Sequence, residues 1–293
     1  MTENAGALSS GKGHNDENFP VASFLIQPRH RTVILAFYRF ARTADDVADH
    51  ATATPDQKLR LLQIMEEGLT GKSRESHEAV ALWQALAAGG LSTQHALDLL
   101  EAFRRDVTKL RYANWDELMD YCRYSAMPVG RFVLDVHGED RSTWPYSDAL
   151  CAALQVINHL QDCAKDYRNL NRVYLPLDDL SAADIVPDAL AAERASPALR
   201  RVIVQLADRT ARLLAEAKPF AGQISDFRLG LEVSVIQALA ESLNRGLMNK
   251  DPLSERVHHS RGETAGLALG AVAGFLWARS ARRKPTIRPA LEP

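Results

Sequence analysis

The chain has 293 residues, 46% hydrophobic and 25% charged, with a formal net charge of −2. That balance supports a large buried core, excludes a disordered chain, and gives no general electrostatic drive toward nucleic acid. The three cysteines, Cys122, Cys151 and Cys163, form no CxxC pair, which argues against a disulfide framework and fits a reducing, cytoplasmic setting.

Residues 1–15 are polar and rich in Gly and Ser, lack the apolar stretch of a secretory signal, and read as a flexible leader. Beyond them, alternating runs of β-branched residues are almost absent, and helical patterns of Ala, Leu, Arg and Glu dominate. Helices are predicted over about 29–50, 56–69, 77–88, 93–110, 115–136, 147–168, 196–220, 224–249 and 264–282. Turn residues cluster between them, at Thr54-Pro55-Asp56, Gly71-Lys72-Ser73, Gly89-Gly90 and Gly138 to Pro145. The stretch from Asn169 to Pro197 is long for a loop, and a short helix is expected inside it. No fixed-period repeat and no linker divides the chain, so the pattern predicts one all-α domain over 16–262, followed by an apolar terminal helix and basic tail over 263–293.

The first predicted helix runs through Val33-Ile-Leu-Ala-Phe-Tyr-Arg-Phe40 and then meets Asp45, Asp46 and Asp49. Asp45 and Asp49 are four residues apart and share one face, where like charges weaken an isolated helix. They also crowd the last turn, where the helix dipole favours cations. The helix from Ser147 repeats the arrangement. Gln155, Asn158, Asp162 and Asp166 form a polar stripe with steps of three, four and four. Two such clusters among apolar neighbours point to a bound cation. Hard carboxylate oxygens suit magnesium held jointly with substrate phosphates. Asp45, Asp49, Asp162 and Asp166 are therefore candidate metal ligands and catalytic residues. Asp46, rotated by about 100° from Asp45, is left to ligate, cap or face solvent.

Several neighbours are candidates for the substrate. Arg42 and Arg31 offer planar forks for diphosphate oxygens. Asn158 and Gln155 can donate to phosphate or accept from water, and Asn158 is also a candidate metal ligand. Tyr38, with Phe37 and Phe40, supplies aromatic faces able to stabilise a carbocation, or simply core packing. Pro128 inside the 115–136 pattern is expected to kink that helix, with Ser125, Ala126 and Gly130 leaving room for an apolar chain. The apolar segment 265–278, followed by Arg279, Arg282, Arg283 and Lys284, is too short to span a bilayer. It is read either as a peripheral membrane contact or as a final core helix.

Together these residues resemble the squalene and phytoene synthase family, over about 18–257. Tyr38-x3-Arg42-x2-Asp45-Asp46-x2-Asp49 is similar to the family's first aspartate motif. Gln155-x2-Asn158-x3-Asp162-x3-Asp166, followed by Arg172-Val-Tyr-Leu-Pro176, is similar to the second. Tyr121-Cys-x2-Ser-Ala-x-Pro-Val-Gly130 resembles the mid-chain helix, though most relatives carry Val-Ala-Gly-x-Val-Gly at its end. The resemblance implies a single-domain, all-α isoprenoid synthase fold with a central cavity. It further implies Mg2+ bound through both motifs, a prenyl diphosphate substrate, and Tyr121 as a catalytic residue at the cavity mouth, with Tyr121 or Asn158 as the candidates for placing the attacking water.

The Glu17-to-Ser23 opening and the Ser-Ala-x-Pro-Val-Gly segment look like the family's bacterial hopanoid branch. That branch implies conversion of presqualene diphosphate and water to hydroxysqualene and diphosphate, without NADPH. Asn18-Phe19 stands only approximately where the family has Ser-Phe, so diphosphate contacts at Asn18 and Phe19 are implied more weakly. Arg261 is the stand-in for a C-terminal phosphate contact. The alternative reactions are condensation of two farnesyl diphosphates, to presqualene diphosphate, squalene or dehydrosqualene, and a non-catalytic assembly role on the same fold. Oligomeric state is not legible in the sequence.

Overall fold

The computed structural model describes residues 27–282; the leader, Asn18 and Phe19 lie outside them. The described residues form helices joined by turns and loops, with one isolated bridge between Arg111 and Val173 and no strand. In chain order they are α1 (Pro28–Asp49), α2 (Pro55–Leu69), α3 (His77–Gly89), α4 (Gln94–Thr108), α5 (Trp115–Ser125), α6 (Met127–His137), α7 (Trp144–Gln161), α8 (Cys163–Leu170), α9 (Leu177–Ala182), α10 (Pro197–Ala217), α11 (Phe220–Gln223), α12 (Phe227–Asn249) and α13 (Arg261–Arg282).

Local chemistry sets many of the boundaries. Thr54 and Gln57 form a reciprocal capping box ahead of Pro55 at the start of α2, a device worth about 1 kcal/mol. Ser76, Asn114, Ser196 and Asp226 cap α3, α5, α10 and α12 with side-chain oxygens. Gly90 and Gly138 end α3 and α6 in the left-handed region, at φ 62° and 70°, where a side chain is strained.

Three predicted boundaries are corrected. The 115–136 segment is two helices, separated at Ala126. Pro128 falls in the first turn of α6, where its missing N–H is no loss and no kink is needed. The 147–168 segment also divides, because Asp162 sits at φ −101° and ψ 8°, ending α7 and opening α8. The backbone bonds from Asp162 N–H to Asn158 and from Asp166 N–H to Asp162 persist across this joint. The last long core helix begins at Phe227, three residues later than its apolar pattern suggests, because Asp226 caps it there.

Two hydrophobic clusters make the core. One is built chiefly from α5, α7, α10 and α12, with Leu134 of α6. The other joins α1 to α4 with Phe132 and Val136 of α6. Helix α6 therefore belongs to both, and Phe37 of α1 stacks on Phe132 with ring centroids 3.9 Å apart. Gly130 lets α6 approach α7 closely. A Cβ added there would fall 2.3 Å from Ser147 Oγ and 2.6 Å from Cys151 Sγ, so even alanine forces a shift.

Candidate active site

A cavity of about 380 Å³ opens along the seam between the two clusters, within the size range of small-molecule sites. Its α1 wall is Ile34, Phe37, Tyr38, Ala41, Arg42 and Asp45, a stripe with helical steps of three and four. On α7 the wall is Ser147, Leu150, Cys151 and Leu154. Asn158 and Asp162 continue that stripe at four-residue steps. Each wall helix thus turns from apolar to acidic toward its C-terminal end. Burial pushes the Cys151 thiol up to about 11, so it stays neutral and adds no charge to the wall.

The first motif is held by guanidinium groups. Arg42 lies 3.2 Å from Asp45 and 2.7 Å from Asp46. Asp46 is buried, which excludes the solvent-facing position left open above. Asp49 receives a 2.5 Å contact from Arg172 Nη1. On the second motif, Lys165 lies 3.8 Å from Asp162, and His159 Nδ1 lies 3.8 Å from Asp166. Gln155 Nε2 is 3.0 Å from His159 Nε2. With the amide donating, the imidazole proton sits on Nδ1, toward Asp166.

A buried network links the two motifs. Backbone bonds from Val173 to Leu110, Leu177 to Tyr112 and Asp178 to Ala113 lay the 173–178 segment along 110–113. That pairing brings Arg172 and Tyr174 to Asp106 at the end of α4. Tyr121 and Tyr174 each donate a 2.9 Å bond to Asp106, one to each carboxylate oxygen. Arg172 Nε donates to the Asp106 carbonyl at 3.0 Å, and Nη2 to the Ala48 carbonyl at 3.2 Å. Tyr174 then stacks on His159, with centroids 3.5 Å apart. The path Asp49, Arg172, Asp106, Tyr174, His159, Asp166 is continuous from one acidic motif to the other. Burial pushes the Tyr121 and Tyr174 hydroxyls well up, reinforced by Asp106, so both remain protonated donors.

The structure therefore places Tyr38, Arg42 and Asp45 on the cavity wall, and Asp49 and Asp166 at the two ends of the network. Tyr121 is placed against Asp106, not on the described cavity wall. Arg31 is exposed on α1, and Arg261 is exposed at the start of α13. Among the described residues, no three His, Cys, Asp or Glu side chains come together as a metal site. The donor set nevertheless suits a hard cation: carboxylates from both motifs, each of them beside a positively charged or imidazole side chain that stands in for it.

Sequence reasoning missed Asp106, His159 and Glu232. Asp106 continues the buried α4 stripe of Leu99 and Ala102, and Glu232 interrupts the cavity-facing stripe Leu229, Val233, Ile236 of α12. An acid at a core position of an amphipathic helix was the available signal in both cases.

Comparison with known proteins agrees with this architecture. The squalene/phytoene synthase family model matches residues 13–263. A hydroxysqualene synthase of Rhodopseudomonas palustris is 57% identical over 286 residues, covering 98% of each chain. One of Zymomonas mobilis is 58% identical over 276 residues, covering 94% of this chain and 93% of that one. The crystal structure of squalene synthase HpnC from Alicyclobacillus acidocaldarius superposes with a TM-score of 0.70 at 31% identity, covering 83% of this chain and 91% of that one. The chain belongs to the squalene/phytoene synthase family, enzymes of isoprenoid synthesis with an all-α fold.

Proposed function

We propose that the chain converts presqualene diphosphate and water to hydroxysqualene and diphosphate. The observation that carries this reading is the cavity, an apolar space whose two wall helices both run into aspartate motifs. The relatives above, at 57% and 58% identity, narrow it to the hydroxylating reaction. The apolar walls receive the hydrocarbon and exclude bulk water, which would otherwise quench a carbocation indiscriminately. Arg42 and Tyr38 lie where the diphosphate enters the acidic end. Arg31, Asn18, Phe19, Gln155 and Asn158 complete the substrate-binding set in this reading, with Tyr121 supporting it through Asp106.

Asp45, Asp49, Asp162 and Asp166, with Asp46 and Asn158 beside them, would hold Mg2+. When bound, it supplies positive charge to the departing diphosphate. Incubation of purified protein with presqualene diphosphate and magnesium, followed by mass spectrometry of the lipid extract, is expected to yield hydroxysqualene without NADPH. Conversion of farnesyl diphosphate, with none of presqualene diphosphate, would overturn the reading in favour of condensation.

In this reading residues 16–262 are the catalytic unit and 263–293 an appendage for peripheral membrane contact. No described helix is long and apolar enough to cross a membrane. Helix α13 seats Phe275 against Phe227 and Gly230 but leaves Leu269, Leu276 and Trp277 at 71, 47 and 74% exposure. Such a surface, continued by Arg283 and Lys284 in the sequence, suits an anionic bilayer. Flotation with phosphatidylglycerol vesicles is expected to carry the wild-type chain, and Leu269→Ser with Trp277→Ser to reduce that binding about tenfold. Equal flotation of both would remove the membrane assignment.

A further inference from the structure

The reaction proposed above needs one group that the aspartate motifs do not supply. A carbocation inside an apolar cavity must meet a single water, and that water must lose a proton as the new C–O bond forms. Glu232 is 8% exposed and lies on the α12 wall of the cavity, between Leu229, Val233 and Ile236. A carboxylate is thus set into a lining that is otherwise largely hydrocarbon.

We propose that Glu232 is the catalytic residue that orients the attacking water and accepts its proton. The inference rests on the hydroxysqualene reading. In the balanced step, the carbon–oxygen bond to diphosphate breaks and the leaving group takes the electron pair. A lone pair of water then forms the bond to the rearranged carbocation, and one water proton passes to the Glu232 carboxylate. No oxidant or reductant is involved.

Product partition tests the assignment in a way a purely structural role would not move. Glu232→Gln keeps shape and hydrogen bonding but cannot take up the proton. With presqualene diphosphate, this variant is expected to release diphosphate within about threefold of wild type. Its ratio of hydroxysqualene to hydrocarbon products is expected to fall at least tenfold, as the uncaptured cation loses a proton instead. Glu232→Asp, which restores a carboxylate one carbon shorter, is expected to return part of the alcohol. An unchanged alcohol fraction in both variants overturns the proposal. So does loss of diphosphate release with the alcohol fraction intact, which would move Glu232 to the ionisation step. Absence of any turnover by the wild-type chain is a different result, removing the reaction itself and this inference with it.

Discussion

Asp45→Asn and Asp162→Asn are each expected to slow diphosphate release from presqualene diphosphate by about 10²–10³-fold or more, the scale seen when one charge-stabilising group is removed from a reacting centre. Neither substitution should unfold the chain. Asp45 is about a third exposed beside Arg42, and Asp162 is about half exposed with Lys165 3.8 Å away. Exposed pairs of this kind contribute about 0–1 kcal/mol. Thermal midpoints close to wild type, together with collapsed turnover, are therefore the expected signature. The loss should appear in kcat more than in KM, because the charge matters most as the leaving group departs. Chelation of the wild-type protein should reproduce the loss, with magnesium restoring the wild type and neither variant. Turnover within tenfold of wild type in either variant would detach that motif from the chemistry.

Arg172→Met is expected to produce the largest stability loss. The guanidinium is buried and joins Asp49, the Ala48 carbonyl and the Asp106 carbonyl. Removing one partner from a buried ionic network costs about 3–5 kcal/mol, a fall in thermal midpoint on the order of 10 °C. The pH dependence carries a definite sign. Burial already pushes the Asp106 carboxyl up, and Arg172 is the strongest influence pulling it back. Without Arg172 the folded-state pKa climbs further above the unfolded value of about 3.9. The stability tied to Asp106 is then present below that unfolded value and lost as pH rises through the folded one. Calorimetry should accordingly show a larger deficit at pH 8 than at pH 5. Adding Asp106→Asn to Arg172→Met should recover part of the loss, since no uncompensated charge is then buried. A deficit independent of pH would indicate lost packing alone.

Much of this organisation is legible in the chain. The acidic spacing around Asp45 and Asp162 is a four-residue repeat, and the apolar stripes leading into it are set by the same helical period. The all-α class follows from the scarcity of alternating β-branched runs. The interruption near Ala126 was legible in Pro128, though as a kink and not as a full break, whereas the break at Asp162 was not, because propensity and periodicity continue straight through it. The Asp106 network was hidden for a different reason. It is assembled by backbone pairing between 110–113 and 173–178, segments some sixty residues apart. No local pattern announces which tyrosine will meet which carboxylate. Glu232 was overlooked because one acid on a long helix ordinarily faces water, although its place within the apolar stripe Leu229, Val233, Ile236 already marked it as inward.

The contact at Gly130 has a consequence for hydrocarbon length. A methyl group there cannot simply occupy empty space: it must either wedge two helices apart or swing Ser147 and Cys151 into the volume beside them. Both responses alter how long a prenyl tail can be accommodated, without touching any residue that handles the charged end. In the proposed reading the room left for an isoprenoid then depends on how closely α6 and α7 approach, and a single backbone position acts as the caliper of that approach.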